Sequence, residues 1–310
     1  MFAKVLAWGH DLPPTAERVG RLLPIAQEPV GPSTLAARAT SMAFERSGLR
    51  NEDIDFIIFA TTTPDVTFPG SACFLQDQLQ CGTVPALDIR AQCAGFLFAL
   101  HVAERFLRAG QYRCILLAGG EVYSSMVDYE RQPDVAQLFG DGAGVVILGP
   151  SGNEAGIEAV VTHADGSGHR AFWCEFPASR QHPHRVTRED FGLGRHLPRI
   201  DSQVVASFGR EHLPHVVREV IERAGRRVSE IDGFVLSHVF PEVAQDAARV
   251  LGLPKESVWI PSEDYGHLGA AALPVAVSKL VETGSLGAGA VVCLAACGSG
   301  FAWGGAVLRV

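Results

Sequence analysis

The sequence predicts an α/β fold built from two similar halves, and three observations carry the prediction. Glu45-Arg46-Ser47-Gly48-Leu49-Arg50 leads into Ile54-Asp55-Phe56-Ile57-Ile58-Phe59. The same pattern returns as Glu222-Arg223-Ala224-Gly225-Arg226-Arg227 leading into Ile231-Asp232-Gly233-Phe234-Val235-Leu236, 177 positions later in both parts. Each copy reads as a helix, a glycine stop and a buried strand. The stretch Cys93 to Gly110 also matches His267 to Gly284 in length, with Gly95 and Gly269 at the same place in each. Two copies at so long a period indicate a duplicated domain rather than a solenoid. The expected division falls near residue 165, giving halves 1–165 and 166–310.

Taken in chain order, the helix ending at Gly48 feeds the strand of residues 54–59. Leu87-Asp88-Ile89 is a strand running into a helix that starts near Cys93. Phe96, Leu100, Ala103, Phe106 and Leu107 recur there at helical period until Gly110 stops it. Cys114–Ala118 is the next strand. Gly140-Asp141-Gly142-Ala143-Gly144 leads into a strand, Val145–Leu148, and not into a helix, so it lacks the dipole that a phosphate-binding loop needs. Residues 168–200, rich in Pro, Arg and His, read as an irregular insertion. In the second half Leu213, Val216, Val217, Val220 and Ile221 share one helix face. The strand Phe234–Ser237 is followed by His238, His267 begins the counterpart of the Cys93 helix, and Ala290–Ala295 is a further strand.

A thiol at a helix N-terminus meets unpaired N–H groups and the positive end of the dipole, and both favour the nucleophilic thiolate. Cys93, His238 and His267 stand at matching element ends of the two halves, so the duplication predicts that they converge where open α/β sheets bind ligands. Alone, a cysteine in that position would read as a small core residue.

Composition limits the alternatives. The 310 residues are 47% hydrophobic and 19% charged, with net charge −8, so no basic footprint for nucleic acid is present. Lysine is confined to Lys4, Lys255 and Lys279. The seven cysteines (Cys73, Cys81, Cys93, Cys114, Cys174, Cys293 and Cys297) show no paired spacing for zinc, so no metal is expected. Met1-Phe2-Ala3-Lys4-Val5-Leu6 lacks the apolar core of a signal peptide, and no run approaches the ~18 residues of a membrane span. A cytoplasmic protein with free thiols is expected.

Several motifs together resemble the thiolase superfamily, and within it the β-ketoacyl-ACP synthase III branch. They are Ala60-Thr61-Thr62-Thr63, Phe68-Pro69-Gly70-Ser71-Ala72-Cys73, the segment from Asp88 through Cys93-Ala94-Gly95-Phe96, and Phe139-Gly140-Asp141-Gly142-Ala143-Gly144. His163-Ala164-Asp165-Gly166-Ser167 and Gly298-Ser299-Gly300-Phe301-Ala302-Trp303-Gly304 complete the set. The resemblance implies a thiolase-like duplicated αβαβα five-layered fold, a homodimer, and Claisen condensation through an acyl-cysteine. It implies no cofactor beyond thioester substrates carried on CoA or on a phosphopantetheinyl carrier protein. By position, Cys93 resembles the acylated nucleophile, His238 the first basic residue, and the N–H groups of Cys93 and Ser299 an oxyanion hole. Such donors are worth ~3–4 kcal/mol each. Phe68 resembles a residue lining the partner subunit's acyl pocket, and Phe139 is a second pocket candidate.

Three departures from the family pattern stand out. His267, in Gly266-His267-Leu268-Gly269-Ala270-Ala271, replaces an Asn; an amide only donates through its nitrogen, whereas imidazole can also accept a proton. His238-Val239-Phe240-Pro241 replaces His-Gln-Ala-Asn, with Val243 where an Arg is usual. The region between Leu12 and Pro32 lacks the Trp- and Arg-containing segment that contacts CoA, which favours a carrier protein as donor, or an unusual primer. Arg180, His182, His184, Arg185 and Arg188 are candidates to meet such an acidic carrier, or a solvated loop. Cys297 lies where thiolases carry a second catalytic cysteine, but also in a densely apolar strand. The expected activity is a condensing enzyme of fatty-acid-like or polyketide-type metabolism. The alternatives are an acyltransferase to an oxygen or nitrogen nucleophile, and a non-catalytic subunit of a heterodimer.

Overall fold

The apolar runs of the sequence assemble into two five-stranded sheets. The computed structural model describes residues 2–152 and 156–310. In chain order the strands are β1 (Phe2–Asp11), β2 (Thr15–Arg18), β3 (Arg21–Pro24), β4 (Phe56–Ala60), β5 (Ala86–Ile89), β6 (Ile115–Val122) and β7 (Asp141–Ser151). They continue as β8 (Ile157–Ala164), β9 (Phe172–Trp173), β10 (Arg199–Ile200), β11 (Gly233–Ser237), β12 (Val258–Trp259), β13 (Val291–Gly298) and β14 (Ala302–Arg309). The helices are α1 (Pro32–Ser47), α2 (Ser71–Leu79), α3 (Gly95–Arg108), α4 (Pro133–Ala136), α5 (Arg188–Gly192), α6 (Ser202–Arg223), α7 (Pro241–Leu251), α8 (Pro261–Tyr265) and α9 (Ala272–Glu282).

The first sheet has the order β1-β7-β6-β4-β5 and the second β8-β14-β13-β11-β12. In each, the last three strands named are parallel and the first two antiparallel to their neighbours. The register repeats as well: Ala60 faces Gly119, and Ser237 faces Ala296, each 177 residues on. Strand β8 belongs to the second sheet although it precedes residue 165, so the change of sheet falls between Ser151 and Ile157. The cause is its pairing with β14, from Ala164 opposite Ala302 to Ile157 opposite Leu308.

Period-two alternation sorts the strand residues into layers. Ile57, Phe59, Leu116 and Ile147 pack outward against Leu35, Ala39 and Leu75 of α1 and α2. Ile58, Leu117 and Val146 turn inward, where Phe96, Leu97 and Leu100 of α3 and Leu273 and Val277 of α9 meet Val292, Leu294 and Ala306 of the second sheet. The outer face of that sheet is covered by α6 and α7, through Leu213, Val216, Val220 and Ala247. Each buried Leu, Ile, Val or Phe among these contributes about 1.5–3 kcal/mol. Helix, sheet, helix pair, sheet and helix make five layers.

The glycine string 140–144 serves this packing: a Cβ at Gly144 would lie 2.5 Å from the backbone nitrogen of Val275 in α9. Asp141 within it accepts N–H bonds from Ser124 and Ala26, both at 2.9 Å. The 168–200 insertion is tied at its ends by β9 pairing with β10. Inside it, buried Asp190 gathers His184, Thr187 and Arg195. Among the described residues no helix is long and apolar enough to cross a membrane.

Candidate active site

Cys93 occupies a single 3₁₀ turn, Gln92–Ala94, between the end of β5 and the start of α3. Gln92 is held at φ 45°, in the left-handed region that costs a non-glycine residue free energy and is found most often at functional turns. The counterpart turn in the second half, Gly269–Ala271, follows His267. His267 is clamped through its backbone: its N–H donates to Leu138 O at 2.6 Å, and its carbonyl accepts from Gly140 N–H at 3.4 Å. The two turns bring Cys93 Sγ and His267 Nε2 to 3.1 Å.

Both partners are buried, Cys93 being 1% exposed. Burial pushes the thiol up to about 12, which outweighs the nearby N–H groups of Ser299 and Cys93 that favour the anion. This corrects the expectation of a dipole-favoured thiolate. The thiol sits in the turn ahead of α3 with almost no solvent, and desolvation wins. Burial also lowers His267 to about 3, with the His238 ring adding to the shift, and lowers His238 to about 4. The resting pair is therefore a neutral thiol beside a neutral imidazole.

His238, just after β11, is fully buried. Its Nδ1 lies 3.1 Å from the Phe240 N–H and 3.3 Å from the Phe240 carbonyl oxygen, so it accepts from the first in the Nε2–H tautomer and donates to the second in the Nδ1–H tautomer. That Nε2, like Nδ1 of His267, is buried and makes no hydrogen bond. Gly298 at the end of β13 leaves room for the thiol, since a Cβ there would lie 2.4 Å from Sγ. Cys297 is buried next to it and its thiol is held well above the usual range by burial and by Cys93.

A cavity of about 270 Å³ reaches Cys93 and is lined by Thr62, Tyr123, Phe139, Phe172, Trp173 and Ser299 among others. Neither His238 nor His267 is among its lining residues, and His267 reaches it only through its contact with Cys93. Phe139 is part of the cavity lining, with its ring 4.5 Å from Tyr123 and 6.0 Å from His267. Phe68 does not meet the site in this chain and is 83% exposed. Asp88 is likewise away from the thiol, accepting the N–H groups of Ser71 and Ala72 at the open end of α2, at 2.7 and 2.8 Å. Arg180, His182, His184, Arg185 and Arg188 are all exposed. Among the described residues no group of three or more His, Cys, Asp or Glu side chains is placed to hold a metal ion.

Two comparisons decide the family. The model for 3-oxoacyl-[acyl-carrier-protein (ACP)] synthase III matches residues 87–166, and the model for its C-terminal domain matches residues 221–310. A β-ketoacyl-[acyl-carrier-protein] synthase III of Syntrophomonas wolfei is 31% identical, over 100% of this chain and 98% of its own. The chain belongs to the β-ketoacyl-ACP synthase III family. A further family member, from Rhizorhabdus wittichii, is 36% identical across 92% of this chain and 86% of its own. The crystal structure of the synthase III from Aquifex aeolicus VF5 superposes with a TM-score of 0.88 at 28% identity, covering 99% of this chain and all of that one. The architecture is thus the thiolase-like fold of this family, and the protein is a condensing enzyme of the acyltransferase class.

Sequence reading missed one buried side chain at the centre of this β-ketoacyl-ACP synthase III site. Glu121, near the end of β6, is fully buried, and burial pushes its carboxyl up to about 7 although several N–H and O–H groups point at it. The available signal was a single acidic residue in the otherwise apolar and glycine run Ile115–Val122.

Proposed function

We propose that this enzyme holds an acyl group on Cys93 and condenses it with a malonyl-type thioester, releasing carbon dioxide. The observation that carries the reading is the 3.1 Å contact between Cys93 Sγ and His267 Nε2 at the inner end of an aromatic cavity. In the first half-reaction Sγ attacks the donor thioester carbonyl while its proton passes to His267 Nε2. The N–H groups of Cys93 and Ser299 receive the oxyanion, and the carrier thiolate leaves with the proton. Acylation replaces a thiol that burial keeps from ionising with a neutral thioester, which suits a dry site.

In the second half-reaction the malonyl carboxylate departs as carbon dioxide. The enolate oxygen is received by His238 in its Nε2–H tautomer and by His267 once exchange with solvent has moved its ring proton from Nδ1 to Nε2. The carbanion attacks the acyl carbonyl, the bond from that carbon to Sγ breaks, and Sγ takes up one proton from water, the proton that decarboxylative condensation consumes. Transfer of the acyl group to an alcohol or amine is the second reading; a neutral imidazole touching the acyl sulfur can accept the nucleophile's proton, which an amide cannot.

The donor arrives on CoA or on a phosphopantetheinyl carrier protein, and the exposed Arg180, His182, Arg185 and Arg188 suit an acidic carrier. We also propose a homodimer formed across the edge strand β5, where Leu87, Val66 and Phe68 are exposed. Phe68 would then enter the partner's cavity. Cys93-acylated enzyme mixed with malonyl donors tests the scheme. Carbon dioxide release with a β-ketoacyl product supports condensation, and transfer to a hydroxyl or amine without carbon dioxide moves the assignment to the second reading. Neither product from acylated enzyme would sink both, leaving a subunit that acts only within a heterodimer.

A further inference from the structure

The geometry points to a positioning residue that the scheme above does not use: Glu121 ties the turn after β4 to the turn that follows His267, and so holds the imidazole against Cys93. The inference rests on the reading of Cys93 and His267 just given. Oε2 of Glu121 accepts from the Thr63 hydroxyl at 2.8 Å and from the Thr63 N–H at 3.0 Å. Thr62 N–H lies 3.0 Å from both carboxylate oxygens, and Ala270 N–H lies 3.3 Å from Oε1. Thr62 and Thr63 belong to the first half, whereas Ala270 is three residues beyond His267 in the second. One carboxylate therefore bridges the halves at the site. All of these partners can donate, and a carboxylate is the acceptor-only group that satisfies them together.

The duplication shows how specific this arrangement is. Position 121 of β6 corresponds to position 298 of β13 by the same 177-residue offset. At 298 the side chain is absent and the space holds the thiol of Cys93. At 121 it is a long acid that reaches the equivalent turn of the other half. Gly269, at φ 51°, leaves no room there for a side chain, because a Cβ would lie 2.8 Å from Glu121 Oε1 and 2.6 Å from the Tyr123 hydroxyl. One strand position is thus emptied beneath the thiol and filled beneath the imidazole turn. The titratable groups facing Glu121 are Cys93 and Tyr123, and its charge disfavours ionisation of both.

Glu121→Gln in the full-length chain tests this, because the amide nitrogen would set a donor against donors. Single-turnover acylation of Cys93 by a carrier-bound acyl thioester should slow about 100-fold, the scale of a small misplacement of reacting groups, with donor affinity unchanged. The pH midpoint for Cys93 alkylation by iodoacetamide should fall, because a buried negative neighbour has gone. A lower Tm with unchanged acylation per folded molecule and an unchanged midpoint would overturn the inference, since a mere structural brace behaves that way. If Glu121→Gln does not fold, Thr63→Val removes the hydroxyl that donates to the carboxylate and accepts from Val122 N–H, and keeps the carboxylate. It should slow acylation about tenfold, the equivalent of one hydrogen bond, and Thr63→Ser should restore it. Equal rates in all three proteins would overturn the inference. Wild-type protein that takes no acyl group from any donor would remove the Cys93 reading itself, and the Glu121 role with it.

Discussion

His267 Nε2 lies 3.1 Å from Cys93 Sγ; Cys93 lies within the turn Gln92–Ala94, and His267 just ahead of the corresponding turn Gly269–Ala271 of the duplicated fold. The contact is made across the interface between halves, so neither half alone contains it. Burial leaves both groups neutral, with the thiol pushed up to about 12 and the imidazole down to about 3. Reactivity then depends on moving one proton at the moment of attack, and not on a standing thiolate.

The first consequence is a steep pH dependence of direct thiol chemistry. The thiolate is the reactive form, so alkylation of Cys93 by iodoacetamide should rise about tenfold per pH unit between about pH 7 and pH 10. Peptide mass spectrometry reads the rate at this cysteine alone. A plateau reached near neutral pH would mean a thiolate–imidazolium pair and would contradict the neutral assignment.

His267→Asn separates proton acceptance from donation. The amide can still donate to an enolate oxygen but cannot take the thiol proton. Acylation, followed by rapid quench, should slow by about 100-fold or more, the range of a lost general base. Decarboxylation of a malonyl thioester by enzyme acylated beforehand should change far less. Equal losses in both steps would assign His267 a single shared role.

Gly298→Ala puts a methyl group 2.4 Å from Cys93 Sγ in the present geometry. The thiol must move, so acylation should be abolished, and overpacking should cost about 1–3 kcal/mol in a denaturant titration. Wild-type acylation in this variant would mean that the thiol does not occupy the position described.

Cys297→Ala addresses the second cysteine. Its thiol is buried and held strongly against ionisation. Acylation and turnover should stay within about threefold of wild type, with a stability loss of ~1–2 kcal/mol for the smaller side chain. Intact acylation with lost turnover would instead give Cys297 a place in the chemistry.

The repeat written in the sequence carried most of the fold. Because Glu45–Phe59 and Glu222–Leu236 share one offset, the equivalence of β4 with β11 could be read from the sequence. That offset also pairs the turn Gln92–Ala94 with Gly269–Ala271, so Cys93 matches Ala270 and the expected match of Cys93 with His267 is three residues out of register. The position of the division could not, because β8 gives no local sign of which sheet it will join; its pairing with β14 is a contact between distant segments. The thiolate expectation for Cys93 failed for a similar reason. Helix polarity is local and visible in sequence, whereas the burial that overrides it comes from β13, the 267–271 turn and the aromatic cavity. Glu121 escaped notice because one acid in an apolar strand has no meaning until Thr62, Thr63 and Ala270 are seen around it. Asp88 was legible only as part of a motif, and its local task is to cap α2.

The central claim is that Cys93 carries the acyl group. Intact-protein and peptide mass spectrometry after incubation with acyl-CoA and acyl-carrier-protein panels tests it directly, beside Cys93→Ala. The account predicts an acyl mass increment on the peptide containing Cys93, absent from the variant. A folded wild-type protein with no increment from any donor, or with one that persists in Cys93→Ala, would contradict it.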